Sequence, residues 1–287
     1  MEEGYKEFLA PAKLNLFLHV IRRRTDGYYN IQTVFQLIDL YDKLFIKTNI
    51  SGQIRRISKD LNIPEEHDLS IKAAQLLKSF ARSTLGADIY IEKNIPMGGG
   101  LGGGSSDAAT TLIALNVLWH CQLTQNELHN LGLQLGADVP FFIFGQNAWG
   151  EGIGEKLTSF LNTPQDYLVI APNEKVSTQE VFRSLELTKD RIPLKIAGFS
   201  NELDLENLTN DLEKGVLKRF KGISLVFDWL KQFGNAKMTG SGSCLFITLD
   251  SINKGKILVE KRPKDTLGFV VRGLNNHPHF NLMLDTE

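Results

Sequence analysis

The sequence predicts an α+β fold of two domains built largely on antiparallel sheets. Stretches of alternating polarity are joined by turn signals rather than by long helical crossovers, and amphipathic helical stretches are interleaved with them. The 287 residues are 42% apolar and 23% charged, which suits about two domains, each with a sizeable core.

The first strand is AKLNLFLHVI, residues 12–21. Leu14, Leu16, Leu18 and Val20 share one face; Lys13, Asn15, Phe17 and His19 share the other. Asp26-Gly27 is a turn signal, and NIQTVFQLIDL resumes an extended pattern, which makes a hairpin. FIKTNI and QIRRIS read as further strands. Ser70 is placed to cap a helix carrying Ile71, Ala74, Leu77 and Ala81 on one side. ADIYIEKNIP alternates again and runs into a glycine-rich stretch, after which Ala108, Leu112, Leu115 and Trp119 recur at helical spacing.

Thr124-Gln-Asn-Glu127 is a capping box, followed by Leu128, Leu131 and Leu135 and a stop at Gly136. In the second half YLVIAPN reads as a strand and Ser177-Thr-Gln-Glu180 as another capping box. Two helical stretches cover 211–233, then come the glycine turn of MTGSGSCLFITL, a helix near 251–262 and the strand GFVVRGL. Gly150, Gly152, Gly154 and Pro164 cluster between the halves, so the expected domains are 1–157 and 158–287.

Composition narrows the partners. The net charge of −1 argues against a general affinity for nucleic acid or anionic membrane, and Arg22-Arg23-Arg24 and Arg55-Arg56 read as solvated turns. Cys121 and Cys244 make neither a disulfide framework nor a zinc spacing. The acidic N-terminus, MEEGYKEFLAPAK, has no apolar core of a signal peptide, and no run of about 18 apolar residues occurs. A cytoplasmic protein with small-molecule partners is expected, a monomer or weak homodimer.

The stretch PMGGGLGGGSSDAA, opening at Pro96, concentrates glycine: six of the seven residues Gly98 to Gly104. Glycine is costly in ordered backbone. Lying between a strand and a helix, the run reads as an anion cradle: loop N–H groups and the positive helix end point into one space, and missing Cβ atoms let oxygens approach. Ser105 and Ser106 add hydroxyls; Asp107 either caps the helix or helps hold a metal. GxxxxGK[ST] is absent, and Gly100-Leu-Gly102-Gly-Gly-Ser105 fails GxGxxG at its last glycine. Lys13 and Asn15 point the same way from the first strand. Asp138, in LGADVPFFIFG, is either an N-cap before Pro140 or a general base taking a hydroxyl proton during phosphoryl transfer.

PAKLNLFLHV, RTDGYYNIQTVF, PMGGGLGGGSSDAAT, LGADVPFF and TGSGSCLF, in this order and spacing, resemble the GHMP small-molecule kinases. The resemblance runs from about Pro11 to the C-terminal strand. It implies the two-domain kinase fold, ATP with Mg2+, and a cytidine diphosphate ester of methylerythritol whose 2-hydroxyl is phosphorylated. ATP would lie over Pro96, Met97, Gly98, Gly99, Gly100, Leu101, Gly102, Gly103, Gly104, Ser105 and Ser106. Asp138 would be the base and Lys13 its partner. Asn15 would meet the methylerythritol end, and Tyr28 would stack on the cytosine with Phe182 on its other face. Tyr29, Phe35, Gly240 and Gly242 would complete the substrate pocket. Tyr29 stands where these kinases usually carry histidine, which puts pyrimidine specificity in question. The metal ligands stay open between Ser106, Asp107 and none. His19 and Trp149 read as structural, and His277 and His279 as too few for a metal.

Overall fold

A computed structural model describes residues 3–58, 63–183, 191–194 and 204–283. The expected hairpin is its longest feature: β1 (Lys6–Arg23) pairs antiparallel with β2 (Tyr29–Asn49). FIKTNI is no separate strand but the far end of β2, because the ladder to β1 runs on to Lys6 opposite Ile46. Register shifts at Pro11/Ala12 and Asn15/Leu18 interrupt β1 around its polar residues, and such bulges re-aim side chains.

QIRRIS yields the short β3 (Ile54–Arg56). It pairs parallel to β4 (Gly86–Glu92), with α1 (Leu69–Ala81) between them in the chain. The cap of α1 is Asp68, not Ser70: the Ser70 N–H donates to the Asp68 carboxylate at 2.9 Å. Next come α2 (Gly103–Leu118), α3 (Gln125–Leu135), α4 (Val139–Phe144), β5 (Ala148–Glu151) and β6 (Lys156–Ser159). The capping box of α3 forms as expected. The first sheet has six strands, in order β3-β4-β2-β5-β6 with β1 added to β2, and α1 to α4 pack with it around one core. α2 is buried without a break from Ser106 to Asn116, which suits its almost unbroken apolar and small residues.

A second sheet, antiparallel throughout, runs β10-β7-β9-β8. Its strands are β7 (Asp166–Pro172), β8 (Lys237–Met238), β9 (Leu245–Leu249) and β10 (Thr266–Arg272). Between them in sequence come α5 (Thr178–Arg183), α6 (Glu213–Arg219), α7 (Lys221–Leu230) and α8 (Ile252–Glu260). The expected division after residue 157 falls inside β6, which still pairs with β5; the second sheet begins at Asp166. Trp149 is buried between the two sheets with Leu14, Phe17, Tyr167 and Phe246, a packing role as its setting suggested. His19 is buried against Phe17, their rings 4.8 Å apart.

Candidate active site

Both glycine loops meet over the start of α2. The Cys244 N–H donates to the Gly99 carbonyl at 3.0 Å, and the Thr239 hydroxyl reaches the Gly100 carbonyl at 3.4 Å. Glycine is required here partly for a reason other than ligand space. A Cβ on Gly99 would sit 2.3 Å from the Cys244 sulfur, and one on Gly100 2.3 Å from the Thr239 carbonyl oxygen. A Cβ on Gly102 would meet Phe142 at 2.9 Å and Lys13 at 3.1 Å, so that glycine makes room for protein. Gly98 and Gly104 do face open space, Gly104 meeting only Leu69 at 3.8 Å.

A cavity of about 360 Å³ lies against this loop, lined by Pro96 to Gly100, Gly102 to Ser105, Asp107 and the Asp68–Ser70 start of α1. Leu101 is buried in the core between the sheets, and its carbonyl accepts the Lys13 N–H at 3.0 Å. Ser106 is buried as well. Its hydroxyl and Asp107 Oδ1 have no hydrogen-bond partner among the described residues.

Below the loop Lys93 bridges Asp42 and Asp107, the latter at 2.6 Å. Asp42 also accepts the N–H groups of Asn94 and Ile95, at 2.6 and 2.8 Å, which fixes the approach to Pro96. Burial pushes the Asp107 carboxyl up to about 8 against the pull of Lys93, and nearby Asp42 adds to the rise. Burial acts to lower Lys93, but the two carboxylates outweigh it and hold the ammonium above the usual lysine range. Nothing in the spacing of Asp42, Lys93 and Asp107 announced this cluster.

A second cavity, of about 300 Å³, adjoins the first through Gly98, Gly100 and Ser105. Lys13, Asn15, Phe35, Asp138, Phe182, Gly240 and Gly242 all line it. Lys13 is 2% exposed; its Nζ lies 2.5 Å from Asn15 Oδ1, 3.3 Å from Asp138 Oδ2 and 5.4 Å from the Phe35 ring centroid. Asn15 is held in turn: its amide donates to Thr33 Oγ1 at 2.9 Å, and its N–H donates to Thr239 Oγ1 at 2.9 Å. Asp138 stands at the N-cap position of α4, yet its side chain makes no cap bond there. Its side chain stays 35% exposed, open to the cavity.

The second loop is anchored by a residue that sequence reasoning missed. The Asn210 amide donates to the carbonyls of Met238 and Gly240, at 2.9 and 2.7 Å. Thr178 ties α5 to the same loop through Ser241, at 2.7 Å. Tyr29, not Tyr28, stacks with Phe182, ring centroids 5.2 Å apart, while Tyr28 is 59% exposed at the hairpin turn. Val181 is buried and Phe182 half-buried, and Leu185 lies outside the described residues.

Two family descriptions match the chain, GHMP kinases N terminal domain over residues 68–146 and GHMP kinases C terminal over 195–262. A 4-diphosphocytidyl-2-C-methyl-D-erythritol kinase from Herminiimonas arsenicoxydans is 50% identical over 94% of this chain and 95% of its own. One from Polynucleobacter necessarius is 47% identical over 96% of this chain and 94% of its own. The chain belongs to the 4-diphosphocytidyl-2-C-methyl-D-erythritol kinases of the GHMP family. A solved 4-(cytidine 5'-diphospho)-2C-methyl-D-erythritol kinase superposes with a TM-score of 0.79 at 31% identity, covering 94% of this chain and all of that one. Methanococcus jannaschii mevalonate kinase shares the GHMP kinase fold, with a TM-score of 0.68 at 17% identity, over 96% of this chain and all of that one. Among the described residues no helix is long and apolar enough to cross a membrane.

Proposed function

We propose that this GHMP kinase transfers the γ-phosphoryl group of ATP to the 2-hydroxyl of 4-diphosphocytidyl-2-C-methyl-D-erythritol, a step of the methylerythritol phosphate route to isoprenoid precursors. The observation that carries the reading is the Lys13–Asp138 pair, 3.3 Å apart in a cavity shared with Gly98, Gly100, Gly240 and Gly242. ATP supplies the phosphoryl group when bound. Asp138 takes the proton of the hydroxyl as its oxygen bonds to phosphorus. The Lys13 ammonium, fixed by Asn15 and by the Phe35 face, offsets the charge that develops; positioning and electrostatics are most of what phosphoryl transfer demands.

The loop from Pro96 to Ser106 is the nucleotide cradle in this reading. Support comes from the open Cβ positions of Gly98 and Gly104 and from the N-terminus of α2. Among the described residues no group of three or more His, Cys, Asp or Glu gathers for a metal. Mg2+ would therefore arrive mainly on nucleotide oxygens and water, as suits that ion, with Ser106 Oγ and Asp107 Oδ1 as the protein oxygens left over. We read the chain as two domains that divide between Ser159 and Asp166 rather than after residue 157, in a cytoplasmic monomer or weak homodimer that sedimentation would size.

ADP release tests the assignment. The cytidine ester should stimulate it, whereas mevalonate and homoserine should not. Release with either small alcohol and none with the ester would overturn the substrate. Equal rates with cytidine and uridine esters would overturn the cytosine reading.

A further inference from the structure

Thr239 stands where the two glycine loops and β1 meet, and its surroundings hold it still. It is fully buried and lines neither of the two cavities. Its N–H donates to the Cys244 carbonyl and its carbonyl accepts the Gly242 N–H, both at 3.1 Å. The carbonyls on either side of it, of Met238 and Gly240, both accept from the Asn210 amide. Backbone held at so many points makes the side chain a fixed post.

That post carries one hydroxyl. Oγ1 accepts the Asn15 N–H at 2.9 Å, which leaves its own proton for the Gly100 carbonyl, 3.4 Å away. The carbonyls before and after Gly100 are held by backbone: Gly99 accepts the Cys244 N–H and Leu101 the Lys13 N–H, each at 3.0 Å. Of three successive carbonyls in the nucleotide loop, the middle one thus depends on a side chain. From Asn15 the line continues. Its Oδ1 lies 2.5 Å from the Lys13 Nζ, which meets Asp138 Oδ2 at 3.3 Å. Polar contacts therefore run unbroken from the loop, through one hydroxyl and one asparagine, to the carboxylate.

We propose that Thr239 is a positioning residue for phosphoryl transfer: its hydroxyl sets the separation between the loop under the phosphates and the strand that carries Lys13 and Asn15. The proposal rests on the kinase reading above. Thr239 touches neither substrate and acts through Asn15 and Gly100. Valine has nearly the same shape without the hydroxyl. It would leave the buried Asn15 N–H without an acceptor and the Gly100 carbonyl without a donor, so that strand and loop shift apart.

Steady-state kinetics of the full chain, each substrate varied with the other saturating, test this. Thr239→Val should lower kcat about 10- to 100-fold, the effect of a misplacement of about 1 Å, with KM for ATP and for the cytidine ester each within about threefold. Thr239→Ser, which restores the hydroxyl, should restore most of kcat. Thr239→Ala serves if the valine variant does not fold, since it too removes the hydroxyl. With kcat counted per ATP-binding site, a merely structural role would lower the melting temperature and leave kcat alone. A kcat in Thr239→Val close to wild type, a loss that Thr239→Ser fails to repair, or a loss carried by either KM would overturn the proposal and leave the kinase reading intact. Wild-type enzyme with no ester-dependent ADP release would overturn the kinase reading and the proposal with it.

Discussion

Asp138 occupies the cap position of α4 without capping it, and its carboxylate instead meets the Lys13 ammonium at 3.3 Å. A carboxylate that sets aside local N–H donors for a cation in a cavity is placed for chemistry rather than for the helix. Asp138→Asn keeps the shape and removes the base. Turnover should fall about 10²- to 10⁴-fold, the usual worth of general-base catalysis, with KM for ATP little changed and folding intact. Turnover within a few-fold of wild type would mean that the protein supplies no base.

Gly104 and Gly100 separate the two uses of the glycine run. Gly104 lies in the first turn of α2 facing open cavity, so alanine there should stabilise the helix by about 0.5–1 kcal/mol. The same methyl group intrudes where the phosphates would lie, so ATP affinity should fall while the melting temperature rises. Unchanged ATP affinity in Gly104→Ala would refute the cradle. Gly100→Ala should instead destabilise by at least about 1–2 kcal/mol, because its φ is +81° and its Cβ would strike the Thr239 carbonyl. Melting curves with and without ATP distinguish the two.

Much of this was legible in the sequence. Alternation placed β1 and β4, and the capping box placed α3, because period and caps are local signals. Lys13 and Asn15 on one strand face were legible for the same reason. Asp138 could be read only as cap or base, since the choice turns on Lys13, far away in the chain. The reason for Gly99, Gly100 and Gly102 was not legible either: it lies in Cys244, Thr239 and Phe142, which fold against them from elsewhere. Tyr28 and Tyr29 were indistinguishable in type; only the register of the β1–β2 hairpin directs the second toward Phe182.

Lys93 shows how much rests on residues that no motif marked. It holds Asp42 and Asp107 together under the nucleotide cavity, and both carboxylates are buried. Lys93→Met leaves two buried acids facing each other, which should cost about 3–5 kcal/mol by urea denaturation. Adding Asp107→Asn should recover part of that loss. A loss below about 1 kcal/mol would show that the cluster does not hold this end of the fold together.

Acid should weaken the attachment of the C-terminal segment. His279 Nε2 accepts the Leu9 N–H at 2.8 Å, and His277 Nδ1 accepts the His279 N–H at 3.1 Å, so both rings are bound in their neutral form. Burial, with His279 nearby, brings His277 down to about 3, and burial lowers His279 as well. In the unfolded chain both titrate near 6.5, so below that value the unfolded state binds protons that the folded state refuses. Their contribution to stability is complete above about pH 6.5 and drains away as pH falls toward the folded values. Asp107 acts in the opposite sense. Its carboxyl is raised to about 8, so the folded state gains relative stability as pH falls from there toward 4. Subtraction removes that term: His277→Asn keeps an acceptor for the His279 N–H and cannot take up the proton. The stability of wild type relative to this variant should fall by up to about 1.4 kcal/mol per pH unit between pH 6 and 4. Parallel curves for the two proteins would show that His277 titrates in the fold as it does in the open chain.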